Sequence, residues 1–419
     1  MRPSTLAPAR RSMTDTHLAI SALILLLLIA SGVAMITKWV PVPYTVALVI
    51  VGLVTSQLHF LPTIHISPDL ILLIFLPALL FEASWNLDLR SLGDNFFPIL
   101  LLSVAGVVMS VGIIGAILHY GVGLGWPLAL LFGAIVSATD PISVLALFRK
   151  VGAPKRLAVI IEGESLFNDG TAAVMFRILT GIVIGTTTTA SSKGILVVSS
   201  LGRFLLACFG GLIIGAAVGF VSSSITAFFD DHLLEITLTT ISAYGSFILA
   251  ETIGVSPVIA VVVAGIIIGN YGRKKGMSSN TQVAVDSFWE YAAFVVNSLV
   301  FLLIGLEVRL AFLAQYITVI IWAILAMTIA RAVSLYGLVQ ISNFFSKPVP
   351  GRWQHIFFWG GLRGALSIAL VLSLPLNIPA RVELVAMTFG AVTFSLLVQG
   401  LTVSPLLRLL RIDQEGKRS

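Results

Sequence analysis

Three carboxylates stand close together inside a hydrophobic stretch of the sequence. Glu162, Glu164 and Asp169 lie between the apolar runs 157–161 and 172–176. An ionisable side chain deep in a membrane costs roughly 3 kcal/mol or more and is functional by default. The pattern therefore predicts a helix that carries a charged site instead of serving only for packing.

The spacing of the polar residues predicts which of them share one side of this helix. Ser165 and Asp169 are four residues apart, and Glu162 lies seven residues before Asp169, so these three point to nearly the same side. Glu164 and Asn168, also four apart, lie on the adjacent face. One face thus combines carboxylate and hydroxyl oxygens, and the other combines a carboxylate with an amide.

A second polar cluster, "SATDP" at 137–141, interrupts another apolar run. Pro141 donates no backbone N–H and disfavours helix at Asp140, so the carbonyl of Ser137 loses its helical partner. Within a membrane such a break is tolerated only where the backbone lines a cavity or packs on protein. We expect an unwound point at which Thr139, Asp140 and freed carbonyls face an ion-sized space. A plain proline kink is the alternative, although a kink alone does not need the aspartate.

Together, Asp140 and Asp169 offer the oxygen ligands that hard cations prefer. This preference is stated for Mg²⁺ and Ca²⁺, and it carries over in kind to Na⁺. Two neighbouring carboxylates repel each other when both are charged. The pair therefore predicts a site that a proton or a cation occupies, but not easily both.

A third interruption, "WGGLRGALS" at 359–367, places Arg363 among glycines in a later apolar run. Glycine is a poor helix former and lets backbones approach closely. Interrupted spans at corresponding places in two halves indicate a transporter site between inverted repeats. We expect two inverted repeats, spans 1–6 and 8–13, whose broken helices cross at the site.

The composition indicates which elements must position these residues. The chain has 419 residues, of which 58% are hydrophobic and 11% are charged, whereas about 25% of the residues are charged in a soluble domain. A membrane-spanning helix needs about 20 apolar residues. The sequence therefore predicts an all-α polytopic membrane protein with about 13 transmembrane helices. Their approximate limits are 18–37, 44–60, 69–85, 96–120, 125–148, 157–185, 200–229, 232–250, 255–271, 283–308, 313–342, 353–376 and 383–407. The two loops at 185–194 and 272–280 are expected to be polar and mobile.

The net charge of +6 is interpreted as loop charge that sets orientation, not as a nucleic-acid surface. Loops after odd-numbered spans carry eleven Lys and Arg residues, and loops after even-numbered spans carry three. The positive-inside rule then places the C-terminus in the cytoplasm and the N-terminus outside. Arg2, Arg10 and Arg11 disagree with this orientation, so we expect the mature chain to begin near Met13. The single cysteine, Cys208, excludes an internal disulfide. The sequence contains no phosphate-binding loop motif, so it gives no support to ATP-driven transport.

Five stretches of the chain resemble the monovalent cation:proton antiporters, in the branch of NhaP-type and animal and plant Na⁺/H⁺ exchangers. They are "SATDPISVLALF" (137–148), "EGESLFNDGTAAV" (162–174), "IARAV" (329–333), "GGLRGALSIAL" (360–370) and, more weakly, "LLFEASWNL" (79–87). They cover most of the chain in the family's order. The resemblance implies an NhaA-like antiporter fold that works by an elevator-like movement, without a cofactor and without enzymatic activity.

The resemblance also implies roles for single residues. Asp169 matches the transporting carboxylate, and Thr139, Asp140 and Ser165 complete the ion site, which binds Na⁺. Relatives that move net charge carry Asp-Asp where this chain has Asn168 and Asp169, so electroneutral one-for-one exchange of Na⁺, or of K⁺ or Li⁺, for H⁺ is implied.

The remaining matched residues are implied to support the site. Glu164 pairs with Arg331, with Arg363 and Arg177 as rival partners, while Arg363 stabilises the second broken span and Glu82 resembles an acid in the ion funnel. The supporting residues are Asn168, Glu164, Arg331, Arg363, Glu82 and Glu162.

The family further implies a homodimer in a lipid bilayer and no nucleic-acid partner. A core transport domain moves against a dimerisation domain. Little sequence follows Leu410, so a long regulatory tail is absent, which favours a prokaryotic exchanger in the plasma (inner) membrane. The expected parts are an N-terminal tail at 1–17, dimerisation segments at 18–95 and 186–310 (the latter with a linker helix), core segments at 96–185 and 311–410, and a short cytoplasmic tail at 411–419.

Two other classes of protein also use paired carboxylates in membranes. An intramembrane enzyme is one, but the chain has no Gly-x-Gly-Asp, Gly-x-Ser-x-Gly or His-Glu-x-x-His motif. A cation channel is the other, but a channel does not need paired carboxylates at repeat-like breaks. Both stay open as alternatives to the antiporter.

Overall fold

The computed structural model of the protein describes residues 7–40, 42–57, 69–186, 193–228 and 230–412. In these ranges the chain is helical, without a strand, so the all-α prediction is confirmed. The main helices are α1 (Ala7–Ile36), α2 (Tyr44–Gln57), α3 (Leu70–Asn86), α4 (Phe96–Val122), α5a (Trp126–Ser137), α5b (Ile142–Val151), α6 (Lys155–Thr186), α7 (Lys193–Thr226), α8 (His232–Ile253), α9 (Pro257–Gly276), α10 (Ser279–Glu307), α11 (Ile317–Phe345), α12a (Gly351–Trp359), α12b (Ala365–Leu372) and α13 (Arg381–Leu409).

Nine stretches of helix in the described part of the chain are long and apolar enough to cross a membrane. The helices α1, α2 and α3 contribute shorter apolar segments, and α12 is divided into two pieces. In a long helix the backbone N–H and C=O groups form hydrogen bonds with each other, as a lipid environment requires. The architecture is therefore that of a polytopic membrane protein, and the number of 13 crossings stays a prediction.

Two groups of helices are visible in the packing. In one, α4 packs on α5a and α11, α5a packs on α6, and α11 packs on α13. In the other, α10 packs on α2, and α9 packs on α3, α7 and α8. Small residues allow close backbone contact in membranes: a Cβ on Gly133 would lie 3.0 Å from the backbone of Val111, and Gly52 and Gly305 face each other between α2 and α10.

Both predicted helix breaks are present. The helix α5 is interrupted between Ser137 and Ile142, where Pro141 precedes the first turn of α5b. The helix α12 is interrupted between Trp359 and Ala365, at the cluster of glycines. These local residues therefore break the helices in the way that their backbone chemistry predicts.

One predicted loop is wrong in extent. The stretch 272–280 was expected to be polar and mobile, but α9 continues to Gly276 and α10 begins at Ser279. Arg273 pairs with Asp286 on α10, and Ser278 caps α10 by accepting a hydrogen bond from the N–H of Thr281. The second expected polar loop, 185–194, lies largely at 187–192, outside the described residues.

Candidate ion site

The two broken helices meet at their interruptions. The backbone N–H of Asp140 donates to the carbonyl of Leu362 at 2.7 Å, which joins the break in α5 to the break in α12. A side chain at Gly364 would collide with the side chain of Asp140. Glycine at this position therefore permits the crossing that the sequence predicts.

The buried guanidinium of Arg363 replaces the backbone donors that the first break loses. Arg363 is 2% exposed, and its Nη1 donates to the carbonyls of Ser137 at 2.8 Å and Ala138 at 3.0 Å. Ser137 is the residue whose carbonyl Pro141 leaves without a helical partner. The backbone N–H of Arg363 donates to Oγ of Ser395 on α13 at 2.9 Å.

Two expectations about the breaks are corrected by these contacts. The freed carbonyl of Ser137 was expected to face an ion-sized space, but it accepts a hydrogen bond from Arg363, and Ser137 does not line the cavity. Arg363 was expected to stabilise the second broken span, but its side chain bonds the first one. It thereby ties α12 to α5.

Thr139 is held against α6 by side-chain hydrogen bonds. Oδ1 of Asn168 accepts from the Thr139 N–H at 3.3 Å, and Nδ2 of Asn168 donates to the Thr139 hydroxyl at 2.6 Å. The same hydroxyl lies 2.9 Å from Oγ of Ser165. Asp140 is fixed by its own helix, because its Oδ1 accepts from the N–H of Ile142 at 3.1 Å.

A cavity of about 250 Å³ adjoins this cluster. Asp140, Asp169, Thr139 and Ser165 line it, together with Glu82 and Glu162. The carboxylate-hydroxyl face of α6 therefore points into the cavity. Asn168, Glu164, Arg331 and Arg363 are not among the lining residues and support the cavity wall from behind.

Three of the charged or amide side chains that line the cavity were not predicted from the sequence: Arg149, Glu290 and Asn297. From the sequence, Glu290 is predicted to be a solvated residue near a helix end. In the structure α10 begins at Ser279, so Glu290 lies about three turns into the helix. Asn297 is seven residues further along and shares its side of α10. The signal was the seven-residue spacing of Glu290 and Asn297 in an apolar helix.

The expected ion pair between Glu164 and Arg331 is present. Arg331 Nη1 bonds one carboxylate oxygen of Glu164, and Nη2 donates to the other at 3.1 Å. Nη2 also donates to the carbonyl of Phe357 at 2.9 Å. Glu164 is 2% exposed, so this bidentate pair is desolvated and joins α6, α11 and α12a.

The rival partners of Glu164 are occupied elsewhere. Arg177 forms an ion pair with Glu251 on α8 at 3.5 Å, and Arg363 bonds the backbone of α5. Arg177 was therefore wrong as a candidate partner for Glu164.

The chemistry of the cavity suits a small hard cation or a proton. Two carboxylates and two hydroxyl groups converge on it, and carboxylate and hydroxyl oxygens are ligands of hard cations. Glu82, Glu162 and Glu290 add three carboxyl groups along the wall, against one guanidinium, that of Arg149. This excess of acidic over basic side chains favours entry of cations into a low-dielectric space.

The chain matches a known family over almost its whole length. The family model described as "Sodium/hydrogen exchanger, transmembrane" matches residues 22–409. The Na⁺/H⁺ antiporter ApNhaP of Aphanothece halophytica is 46% identical over 381 residues, which cover 90% of this chain and 72% of that protein. The Na⁺/H⁺ antiporter NhaP of Pseudomonas aeruginosa is 40% identical over 355 residues, which cover 82% of each chain.

The fold has a solved counterpart. The structure of the sodium proton antiporter MjNhaP1 from Methanocaldococcus jannaschii at pH 8 matches with a TM-score of 0.76. The match covers 94% of this chain and 99% of that one at 21% sequence identity, so it speaks for the fold alone. With the family model and the relatives, the conclusion is that this chain belongs to the transmembrane sodium/hydrogen exchanger family, as a monovalent cation:proton antiporter of the NhaP type and a multi-pass membrane protein, not an enzyme.

Proposed function

We propose that the protein exchanges one Na⁺ for one H⁺ without net charge movement, and that both ions compete for Asp169. The observation that carries this proposal is that Asp140, Asp169, Thr139 and Ser165 line one cavity at the meeting point of the two broken helices. Na⁺ binds to oxygens of these four side chains. A proton on Asp169 removes the charge that holds the cation.

Charge balance supports one-for-one exchange. With both carboxylates ionised, bound Na⁺ leaves the site with one net negative charge, and a single bound proton leaves the same charge. Asn168 is neutral and hydrogen-bonded to Thr139, and Glu164 is neutralised by Arg331. The site therefore carries the same net charge with Na⁺ bound as with H⁺ bound, so exchange passes no current.

Two helix groups supply the proposed moving parts. The mutual packing of α4, α5, α6, α11 and α13 supports a core transport domain, to which α12 is tied by Arg363. The packing of α2 on α10, and of α9 on α3, α7 and α8, supports a second, dimerisation domain. We assign to it the contact of a homodimer and to the core an elevator-like movement.

The loop charges support an orientation with the C-terminus in the cytoplasm and the N-terminus outside, in the plasma membrane of a prokaryote. Arg149, next to the basic loop after α5b, lines the cavity. On this orientation the cavity opens to the cytoplasm. Labelling of a cysteine introduced at Lys150, in a Cys208→Ser background, from one face of intact cells and inverted vesicles tests the assignment.

The experiment for the proposed function uses the purified protein in vesicles with a trapped pH-sensitive dye. Addition of Na⁺ to one side should move protons to that side, with no change under an imposed membrane potential. Li⁺ and K⁺ are compared at equal concentration. Asp169→Asn and Asp140→Asn should abolish the signal while the protein stays folded. Cation flux that carries current without proton movement would identify a channel and overturn the proposal.

A further inference from the structure

A second cavity, of about 350 Å³, lies at the other end of α6. Arg177, which lines it, follows Asp169 by eight residues, or about 12 Å along the helix. Glu162, which lines the first cavity, precedes Asp169 by seven residues. The two cavities therefore approach the level of Asp169 from opposite ends of the same helix.

The same two leucines line both cavities. Leu76 on α3 and Leu366 on α12b each contribute to both walls, and each is only 6% exposed. Their side chains thus form an apolar layer between the first cavity, which Asp140 and Asp169 line, and the second cavity. A layer of this kind excludes ions, because an unpaired charge is very costly in apolar surroundings.

One ion pair crosses the boundary of the second cavity. Arg177 on α6 lies 3.5 Å from Glu251 on α8, and its Nη1 donates to the carbonyl of Val255 at 3.3 Å. The helix α6 belongs to the proposed core, and α8 to the proposed dimerisation domain. Both charged side chains are nearly half exposed, at 45% and 44%. Exposed pairs are weak, which suits a contact that must open and re-form in every cycle.

We propose that Leu76 and Leu366 form the barrier that closes the ion site toward the second cavity, and that the Arg177–Glu251 pair holds this barrier shut. The inference rests on the proposed exchange by alternating access. It assigns to four residues outside the ion ligands the task of coupling: while the barrier is intact, an ion at Asp169 reaches one cavity only.

The first test measures proton leak without Na⁺. Vesicles with an imposed pH gradient are compared for Leu76→Ala and Leu366→Ala. Both variants should leak protons several-fold faster than the unmodified protein, because shortening either side chain joins the two cavities. Leu76→Met and Leu366→Met, which nearly keep the volume, should stay tight.

Matched controls distinguish a leak through the barrier from a leak caused by any loss of packing in the protein. Leu80 lines only the first cavity and Leu370 only the second, and each is 4% exposed. Leu80→Ala and Leu370→Ala remove the same atoms from equally buried places and should not leak. Equal leak in all four alanine variants, or no leak in any of them, would overturn the barrier.

The second test addresses the ion pair and does not depend on alanine variants that fold. Leu80→Cys, on the side of the first cavity, in a Cys208→Ser background is treated with a membrane-impermeant thiol reagent from the side of the second cavity. Labelling should be slow with the pair intact and several-fold faster after Glu251→Gln or Arg177→Gln. Unchanged labelling in both variants would overturn the role of the pair.

These readouts distinguish the failure of this inference from the failure of the proposed function. Leak and labelling are measured without Na⁺. If wild-type vesicles show no Na⁺-driven proton movement, the exchange proposal fails. If exchange is normal and the leak and labelling results are negative, only the barrier fails.

Discussion

The side chain of Asn168 holds Thr139 at two points. Its Oδ1 accepts from the Thr139 N–H at 3.3 Å, and its Nδ2 donates to the Thr139 hydroxyl at 2.6 Å. The amide supplies both a donor and an acceptor, whereas an ionised carboxylate accepts only. Asn168 therefore fixes the unwound segment of α5 on α6, next to the carboxylate of Asp169.

This relationship predicts the effect of Asn168→Asp. The variant keeps the acceptor for the Thr139 N–H but loses the donor for the Thr139 hydroxyl, so this proposed cation ligand is no longer held in place. We expect the apparent Km for Na⁺ to rise about tenfold, which corresponds to 1.4 kcal/mol, with a lowered melting temperature. The control is Asn343→Asp, because Oδ1 of Asn343 accepts from the N–H of Val349 at 2.7 Å and an aspartate keeps that bond. Equal effects of the two substitutions would contradict the clamp.

The hydroxyl groups of the site predict a change in affinity more than in rate. Thr139→Val and Ser165→Ala each remove one proposed cation ligand but leave both carboxylates in place. We expect the apparent Km for Na⁺ to rise more than the maximum rate falls, in initial-rate measurements on vesicles. Thr393→Val is the control, since this buried hydroxyl has no hydrogen bond within the described part of the chain and does not line the cavity. An unchanged Km in both site variants would mean that these hydroxyls bind no cation.

The buried pair of Glu164 and Arg331 predicts non-additive losses of stability. Removing one partner strands the other charge, which typically costs about 3–5 kcal/mol. Glu164→Gln and Arg331→Ala should each lower the free energy of unfolding in detergent, and the double variant should lose less than the sum. Exchange per folded molecule should persist in part in Glu164→Gln. The half-exposed Arg177–Glu251 pair is the comparator and should show a smaller coupling.

Strict additivity of the Glu164 and Arg331 losses would contradict that assignment. So would a complete loss of exchange in well-folded Glu164→Gln, which is expected only of the carboxylates that bind the ion.

Replacing Arg363 should lower the stability of the protein strongly, because its guanidinium binds the backbone of α5. Arg363→Gln puts a shorter amide in place of the guanidinium, and the amide does not reach the buried carbonyls of Ser137 and Ala138. Each carbonyl left unsatisfied costs about 1–3 kcal/mol. Arg363→Lys, which keeps a donor, should restore part of the loss. Hydrogen exchange at the amide of Asp140 should speed up with the fall in melting temperature. Arg381 also donates to two helix-end carbonyls, of Leu374 and Leu372, but is only half-buried, so a cost for Arg381→Gln as large as for Arg363→Gln would contradict the role.

Much of the fold could be predicted from the sequence because its determinants are local. Apolar runs predict the long helices, and Pro141 and the glycines beside Arg363 predict where two of them break. The helix ends were harder: α9 runs on to Gly276 because Arg273 pairs with Asp286 on the next helix. A local sequence pattern does not predict an ion pair between two helices.

In the candidate site, too, the features set by local spacing could be predicted, whereas those set by packing could not. Helical spacing placed Ser165 and Asp169 on one face of α6, which lines the cavity, and Glu164 on another face, from which it pairs with Arg331. The reach of Arg363 to the carbonyl of Ser137 spans 226 positions in the chain and depends on how the broken helices cross. Glu290 was likewise missed, because only packing brings α10 to the cavity.

Competition between Na⁺ and H⁺ for Asp169 is tested most directly by the apparent Km for Na⁺, measured as a function of pH in vesicles. Competition predicts that the Km rises as the pH falls, because a proton on the carboxylate excludes the cation. At saturating Na⁺ the rate lost at acid pH should then be largely restored. A rate that stays low at acid pH whatever the Na⁺ concentration would contradict competition at Asp169 and indicate a separate proton-sensing group.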